Sequence, residues 1–273
     1  MPPSSAHERP GLVLLHGFTG SRESWRNLRS RLEPRYRVLS LDLPGHGATD
    51  GTALAYGMEE ASACLEKAIK DNFRRRPALL GYSMGGRLAL YFALTRPGRA
   101  AALVLLSSSP GIRSPTERRE RMHADEMLAR MIEERGIEAF VDYWEALPLF
   151  STLASLPSSI RAELRHIRLS SSPSGLARSL RTMGQGRQPW LGDRLRSLDT
   201  PVLLVAGALD KKYSAIAREM GSTLPAATVE VIGEAGHCPQ LERPDEFFHL
   251  VAGFLEGVLQ PERGPEIGSI QGD

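Results

Sequence analysis

The sequence predicts an α/β fold, a mostly parallel sheet with helices on both faces. Three observations predict it. Short apolar runs of strand length recur along the chain, each ended by Gly, Pro or a polar loop. Helical segments fall between them, and alternating buried strands and helices are the mark of a parallel sheet covered on both sides. The 273 residues suit one such core enlarged by an insertion, and 41% apolar residues are enough to fill it.

In chain order, GLVLLHG (11–17) is an apolar run closed by glycine, read as a buried strand. RVLSLDLPGHG (37–47) repeats the design as a strand followed by a loop rich in Gly and Pro. ALLGYS (78–83), ALVLLSSS (102–109), PVLLVAGALD (201–210) and ATVEVIGEAGH (227–237) supply four more strands. Segments 22–33, 58–74 and 84–95 read as helices between them. From about Gly111 to Trp190 the strand signal stops, and 116–135, 137–146, 158–168 and 174–183 read as short helices. Met127, Leu128, Met131 and Ile132 are expected to share one helical face there. An all-helical insertion between two strands is expected to cap the sheet's C-terminal edge, where such sheets gather their chemistry. The expected division is a core of 1–110 and 191–260, a helical cap of 111–190 and a flexible tail of 261–273.

Charge and composition narrow the function classes. The net charge is +2, which gives no global field for nucleic acid or a membrane surface. No apolar run approaches the ~18 residues that span a bilayer, and MPPSSAHERPG has no apolar segment of the secretory kind. Cys64 and Cys238 form no motif, which suits a reduced, cytoplasmic protein. No metal cluster, phosphate loop or nucleotide fingerprint occurs, so no metal and no cofactor are expected. Oligomeric state is left open by the sequence.

The chemistry is expected around GYSMGGR (81–87). Gly81-Tyr82-Ser83-Met84-Gly85 follows a strand and opens a helix, the context in which G-x-S-x-G exposes a nucleophile on a sharp turn. The plainer reading is a Gly-rich turn with a structural serine. A nucleophilic serine needs a base. Of the seven histidines, His7 lies in the N-terminal stretch, His123 and His166 in the expected cap, and His249 in a late helix. His237, in the loop EAGHCPQLE after the last strand, can bring an imidazole to the sheet's edge. The third member is an acid that orients the imidazole. Asp210 ends the fifth strand at that edge, while Asp42 in LDLPGHG reads as structural. Backbone N–H donors for an oxyanion are expected from Phe18 and Met84, with His16 bracing the loop. Arg87 lies four residues after Ser83, on the same helical face, where a buried cation needs a carboxylate from the protein or from a ligand.

HGF, DLPGHG, GYSMGG, AGALD and GH occur in that order, and through them the chain resembles the α/β-hydrolase superfamily over residues 11 to about 258. The resemblance implies the α/β-hydrolase fold with an inserted helical cap and a triad of Ser83, Asp210 and His237. It is specific for the fold and weak for the reaction. Members of the superfamily usually carry strands ahead of the oxyanion strand, whereas only residues 1–10 precede GLVLLHG here, so sheet size stays open. A longer series is narrower: GYSMGGR, SSSPGI (107–112), ERRER (117–121), YWEALPLF (143–150), RLSSSPSGLARSL (168–180) and MGQGRQP (183–189). It is similar to the 2-succinyl-6-hydroxy-2,4-cyclohexadiene-1-carboxylate (SHCHC) synthases, the lyases of menaquinone biosynthesis. That resemblance implies substrate-binding roles for Arg87, Arg121 and Arg168, and pocket positions for Tyr82 and Trp144. Segment 147–190 holds Arg161, Arg165, Arg168, Arg178, Arg181 and Arg187 against the single acid Glu163, a local excess of positive charge. The implied substrate is a small polycarboxylate, and arginine's planar fork suits carboxylates. The implied reaction is elimination of pyruvate by triad-driven proton abstraction. Two other classes stay open: a serine hydrolase for esters or C–C bonds of acidic substrates, and a binder that kept the fold.

Overall fold

A computed structural model describes residues 9–49 and 57–259. His7 and the expected tail 261–273 lie outside the described residues. The strands are β1 (Gly11–Leu15), β2 (Arg37–Leu41), β3 (Ala78–Tyr82), β4 (Ala102–Leu106), β5 (Val202–Gly207) and β6 (Ala227–Ile232). They form one sheet of six in the order β2-β1-β3-β4-β5-β6, with every neighbouring pair parallel. The helices are α1 (Arg26–Leu32), α2 (Met58–Asn72), α3 (Met84–Thr95), α4 (Pro115–Glu145), α5 (Ser158–Leu169), α6 (Pro173–Met183), α7 (Lys211–Thr223), α8 (Pro239–Glu242) and α9 (Pro244–Val258).

The strand pleat divides the core. Val13 and Leu15 point with Leu79, Leu103 and Leu105 to the side covered by α2, α3 and α7. Leu12 and Leu14 point with Leu80 and Val104 to the side covered by α1 and α9. Side chains that alternate faces explain why β1, β3 and β4 read as continuous apolar runs: both faces are buried. The strand order reverses between β1 and β3, so the chains leaving their C-terminal ends turn apart and open a crevice there. That crevice places the turn after β1 opposite the turn after β3.

Helices α4 to α6 occupy the stretch between β4 and β5. They bury Ala129, Ile132, Phe140, Leu176 and Leu180 against one another, with Phe18 from the turn after β1 packed on the same cluster. Ser114 caps α4 by accepting from Glu117 N–H, and Pro115 fills the first helical position. The expected break between two helices falls at Gly136, whose φ of 79° and ψ of 176° are not helical, so Pro115–Glu145 is two helices that meet at this glycine. The face expected from Met127, Leu128, Met131 and Ile132 is corrected at one position. Asp125, Ala129 and Ile132 form the buried stripe, and Met127, about 200° round the helix from Asp125, is 53% exposed. The stretch Pro148–Ser155, not read as helical from the sequence, forms a short 3₁₀ helix after Pro148.

Candidate active site

Ser83 sits on the turn from β3 to α3 with φ 49° and ψ −105°. Its N–H donates to Leu106 O at 2.8 Å, and its C=O accepts from Arg87 N at 3.0 Å. The turn can be this tight because the positions two residues to either side of Ser83 carry no side chain. A Cβ at Gly81 would collide with the Gly85 backbone, and one at Gly85 with the carbonyls of Leu15 and His16. These glycines thus let β3, α3 and the turn after β1 approach one another, and the serine side chain is left at the crevice.

His237 arrives on the loop after β6, and Asp210 on the loop after β5. His237 Nδ1 lies 2.7 Å from Asp210 Oδ2, and Nε2 lies 3.3 Å from Ser83 Oγ. A carboxylate only accepts, so Nδ1 carries the proton and Nε2 is left to accept from the serine. The other Asp210 oxygen accepts from Tyr213 N–H at 3.1 Å, so the acid also caps α7 and is held from two sides. Glu242 was not singled out by sequence reading. Its carboxylate accepts from Gly236 N–H at 2.7 Å and Cys238 N–H at 3.0 Å, the amides on either side of His237. The only sequence signal was an acid five positions beyond the histidine. The Tyr213 ring packs on the imidazole at 4.6 Å between centroids, and Tyr82 and Phe150 close its other sides at 5.5 and 5.9 Å.

Phe18 and Met84 face each other across the crevice as the residues after β1 and after Ser83. Neither backbone N–H has a hydrogen-bond partner among the described residues. His16 is fully buried, with Nδ1 on Gly17 O at 2.8 Å and Nε2 accepting from Leu43 N–H at 2.9 Å. Both ring nitrogens are occupied, and burial lowers its pKa to about 4. It is therefore a neutral brace. His46 packs against it with its ring tilted by 55° at 5.1 Å between centroids, and is lowered to about 3 by burial and by the neighbouring ring. Asp42 is likewise structural, accepting from Arg22 Nε at 2.7 Å and Ala48 N–H at 3.1 Å.

Arg87 is 8% exposed. Its Nη1 donates to Met183 O and to Gln188 Oε1, both at 3.0 Å. Both acceptors are neutral, and no carboxylate pairs with it among the described residues. Burial lowers its pKa to about 10, which still leaves it charged at neutral pH. Arg121 lies close enough to repel it, and the Asp125 carboxylate close enough to attract it without a hydrogen bond. Arg121 itself holds Asp125 at 2.8 Å and reaches Gln185 Oε1 at 3.2 Å. Gln185 in turn donates to Ser109 Oγ at 2.9 Å and lies beside the Tyr213 hydroxyl. Arg87, Arg121, Asp125, Gln185, Gln188 and Tyr213 thus form one largely buried polar group beside the serine.

Arg168 is not part of that group. It lies with Tyr82, Trp144 and Phe150 in the wall of a cavity of about 480 Å3 between the core and α5. It is 5% exposed and pairs with Glu145 at 2.9 Å. Tyr82 reaches Cys238 Sγ at 2.9 Å, and burial pushes the phenol well above its usual range and the thiol up to about 12. Trp144 packs on Phe18, Phe140 and Phe150 at 5.3, 5.6 and 5.5 Å.

The positive excess expected in segment 147–190 is offset in space. Arg165 pairs with Asp142 and Glu145, and Arg181 with Glu126 and Glu133, all acids of α4. Those acids lie outside the sequence window, which is why the window alone misread the balance.

A family model described as "Alpha/beta hydrolase family" matches residues 12–250. The chain belongs to the α/β hydrolase family. Within that family, a Bacillus subtilis (strain 168) protein with the provisional description 2-succinyl-6-hydroxy-2,4-cyclohexadiene-1-carboxylate synthase is 43% identical over 90% of this chain and 90% of its own. The same synthase of Enterobacter sp. (strain 638) is 33% identical over 92% of each chain. The solved structure of MenH from S. aureus superposes with a TM-score of 0.90 at 34% identity, covering 94% of this chain and 97% of that one. These likenesses run through the inserted helices as well as the sheet, since each covers nine-tenths or more of the chain.

Proposed function

We propose that this α/β hydrolase is an SHCHC synthase, a lyase that eliminates pyruvate from 2-succinyl-5-enolpyruvyl-6-hydroxy-3-cyclohexene-1-carboxylate in menaquinone biosynthesis. The observation that carries the reading is Arg87: a buried cation one helical turn from Ser83, bonded only to neutral acceptors. An ester hydrolase has no use for it, whereas a substrate carboxylate completes it.

In this reading Ser83, His237 and Asp210 act as the base. Ser83 gives its proton to His237 Nε2 and takes the ring proton next to the succinyl ketone. Asp210 fixes the tautomer and stabilises the imidazolium. The enolate oxygen that forms accepts from the Phe18 and Met84 amides. Its electron pair returns through the ring, the C–O bond to the enolpyruvyl group breaks, and pyruvate leaves as its enolate. The imidazolium supplies the proton that the leaving group takes up. No acyl-enzyme forms. The Ser83–His237 separation of 3.3 Å is at the long end for proton transfer and shortens when substrate closes the site. Arg87, Arg121 and Arg168 hold carboxylates, with Tyr82 and Trp144 walling the pocket, and α4 to α6 form the cap. The reading makes the enzyme cytoplasmic, without metal or cofactor; no described helix is long and apolar enough to cross a membrane.

The test is pyruvate release from enzymatically generated substrate, with spontaneous loss subtracted and a short-chain nitrophenyl ester run in parallel. Fast release that Ser83→Ala lowers at least about a thousandfold, with feeble ester turnover, is expected. Strong ester turnover without accelerated pyruvate loss makes the chain an ordinary hydrolase.

A further inference from the structure

Glu242 is a half-buried acid that pairs with no cation among the described residues. Both of its oxygens are used on backbone instead. Oε2 accepts from Gly236 N–H at 2.7 Å and Oε1 from Cys238 N–H at 3.0 Å. Bonds from an amide to an ionised acceptor are of the strong kind. The chain closes this arrangement locally. The N–H groups of Leu241 and Glu242 both donate back to Cys238 O, at 2.9 and 3.0 Å, and Pro239 opens the short helix α8 between them. Residues 236–242 therefore wrap around one carboxylate. His237 lies between the two held amides, so the backbone that carries the imidazole is fixed on both sides.

The opposite side of the loop has contact without hydrogen bonds. Gly236 lies so close to Thr152 that a Cβ there would collide with it, and the Thr152 hydroxyl is buried without a partner among the described residues. Thr152 thus blocks the loop from one side, and Glu242 holds it from the other. A direct contact with substrate is the rival role, since Glu242 also lies in the wall of the 480 Å3 cavity. A carboxylate there repels a polycarboxylate, so substrate binding gives no reason for it. Holding His237 does. The gap of 3.3 Å from His237 Nε2 to Ser83 Oγ is already long for proton transfer, and a drift of the loop would lengthen it.

We infer that Glu242 is a positioning residue: it fixes the backbone of 236–238 and, through it, the reach of His237 to Ser83. The inference rests on the reading of Ser83, His237 and Asp210 as the base. Asp210 orients the ring, and Glu242 orients the main chain that bears it.

Glu242→Gln separates the two roles. It keeps the side chain's length and one acceptor oxygen, but its NH2 group faces an amide N–H, so one of the two bonds is lost. The kcat for pyruvate release is expected to fall about tenfold, with KM within about twofold of the parent. A misplacement of roughly 1 Å can cost about a hundredfold, and Glu242→Ala, which frees both amides, is expected to approach that loss. A second readout needs no pyruvate. A fluorophosphonate phosphonylates Ser83: Oγ displaces fluoride from phosphorus, and the serine proton passes to His237. That rate is expected to fall by the same factors. Rates are read well below each variant's melting temperature, and where Glu242→Ala fails to fold, Glu242→Gln decides.

Parental rates with a lowered melting temperature assign Glu242 to the fold and overturn the inference. A changed KM at parental kcat makes it a substrate contact and overturns it as well. Slower pyruvate release with parental phosphonylation means that the effect does not pass through His237, and the inference fails. A parent that is phosphonylated at Ser83 yet releases no pyruvate contradicts the proposed function, while the phosphonylation rates of the variants still decide the role of Glu242. A folded parent that does neither removes the base itself, and the inference with it.

Discussion

Two regions flank Ser83, and they deal with burial in opposite ways. On one side Arg87 stays charged although burial lowers its pKa to about 10, and it is given two neutral acceptors. On the other, His16 and His46 are as deeply buried and give up their protons, with pKa values lowered to about 4 and about 3. The difference is chemical. An imidazole can escape the cost of burial by deprotonating near neutral pH, and a guanidinium cannot. Asp125 acts on Arg87 only from a distance and is bonded to Arg121 instead, and a buried charge with no carboxylate bonded to it adds little to stability. We read it as held for a ligand. The neutral region serves the fold: the His16 and His46 rings lie under the turn that presents Phe18 N–H.

The strongest way to break this comparison is Arg87→Ala. Each hydrogen bond from a guanidinium to a substrate carboxylate is worth about 1.5–3 kcal/mol, so kcat/KM for pyruvate release is expected to fall about a hundredfold. The melting temperature should hardly move, because the costly buried cation leaves together with its two neutral bonds. A protein that loses several degrees and keeps its kinetics assigns Arg87 to the fold, and the contrast between the flanks disappears.

A subtler change tests why the partner at 188 is an amide. Gln188 Oε1 accepts from Arg87 while leaving the charge unneutralised, and its Nε2 is buried without a partner among the described residues. Gln188→Glu would give Arg87 a permanent carboxylate of nearly the same shape. The incoming substrate would then have to displace an internal ion pair. KM is expected to rise about tenfold with kcat much less affected, and thermal stability should hold or increase. An unchanged KM would mean that the substrate does not use Arg87.

Much of this was legible in the sequence, and the limits are physical. Five-residue apolar runs ended by Gly or Pro gave the strands because both faces of β1, β3 and β4 are buried. Gly81, Gly85 and the strand-to-helix change around Ser83 are local, so that turn was readable. His237 and Asp210 could be placed because parallel strands deliver their following loops to one edge. What escaped depends on contacts remote in sequence. Arg181 meets Glu126 across 55 positions, and Arg168 meets Glu145 across 23, so a window of charges could not reveal their pairing. Glu242 went unnoticed because it acts on backbone amides, and a side chain that binds backbone leaves no partner to be spotted in a residue pattern.

The smallest effect concerns the region that gives up its charge. The folded pKa of His16 is about 4 and that of His46 about 3, against about 6.5 in an unfolded chain. Below pH 6.5 the unfolded chain therefore binds protons that the native rings refuse. The contribution to stability is complete above pH 6.5 and is lost as pH falls towards 4. Each histidine adds a slope of about 1.4 kcal/mol per pH unit in that window, and about 2–4 °C of melting temperature corresponds to each kcal/mol in a chain of this size. Thermal unfolding between pH 7 and pH 5 should therefore drop by several degrees per unit, and His46→Leu should make the decline shallower by about half. Arg87→Ala should leave the slope unchanged, since Arg87 keeps its proton throughout that range. If the slope is flat in the parent protein, or tracks Arg87 rather than His46, then the two flanks do not divide between a charge surrendered and a charge retained.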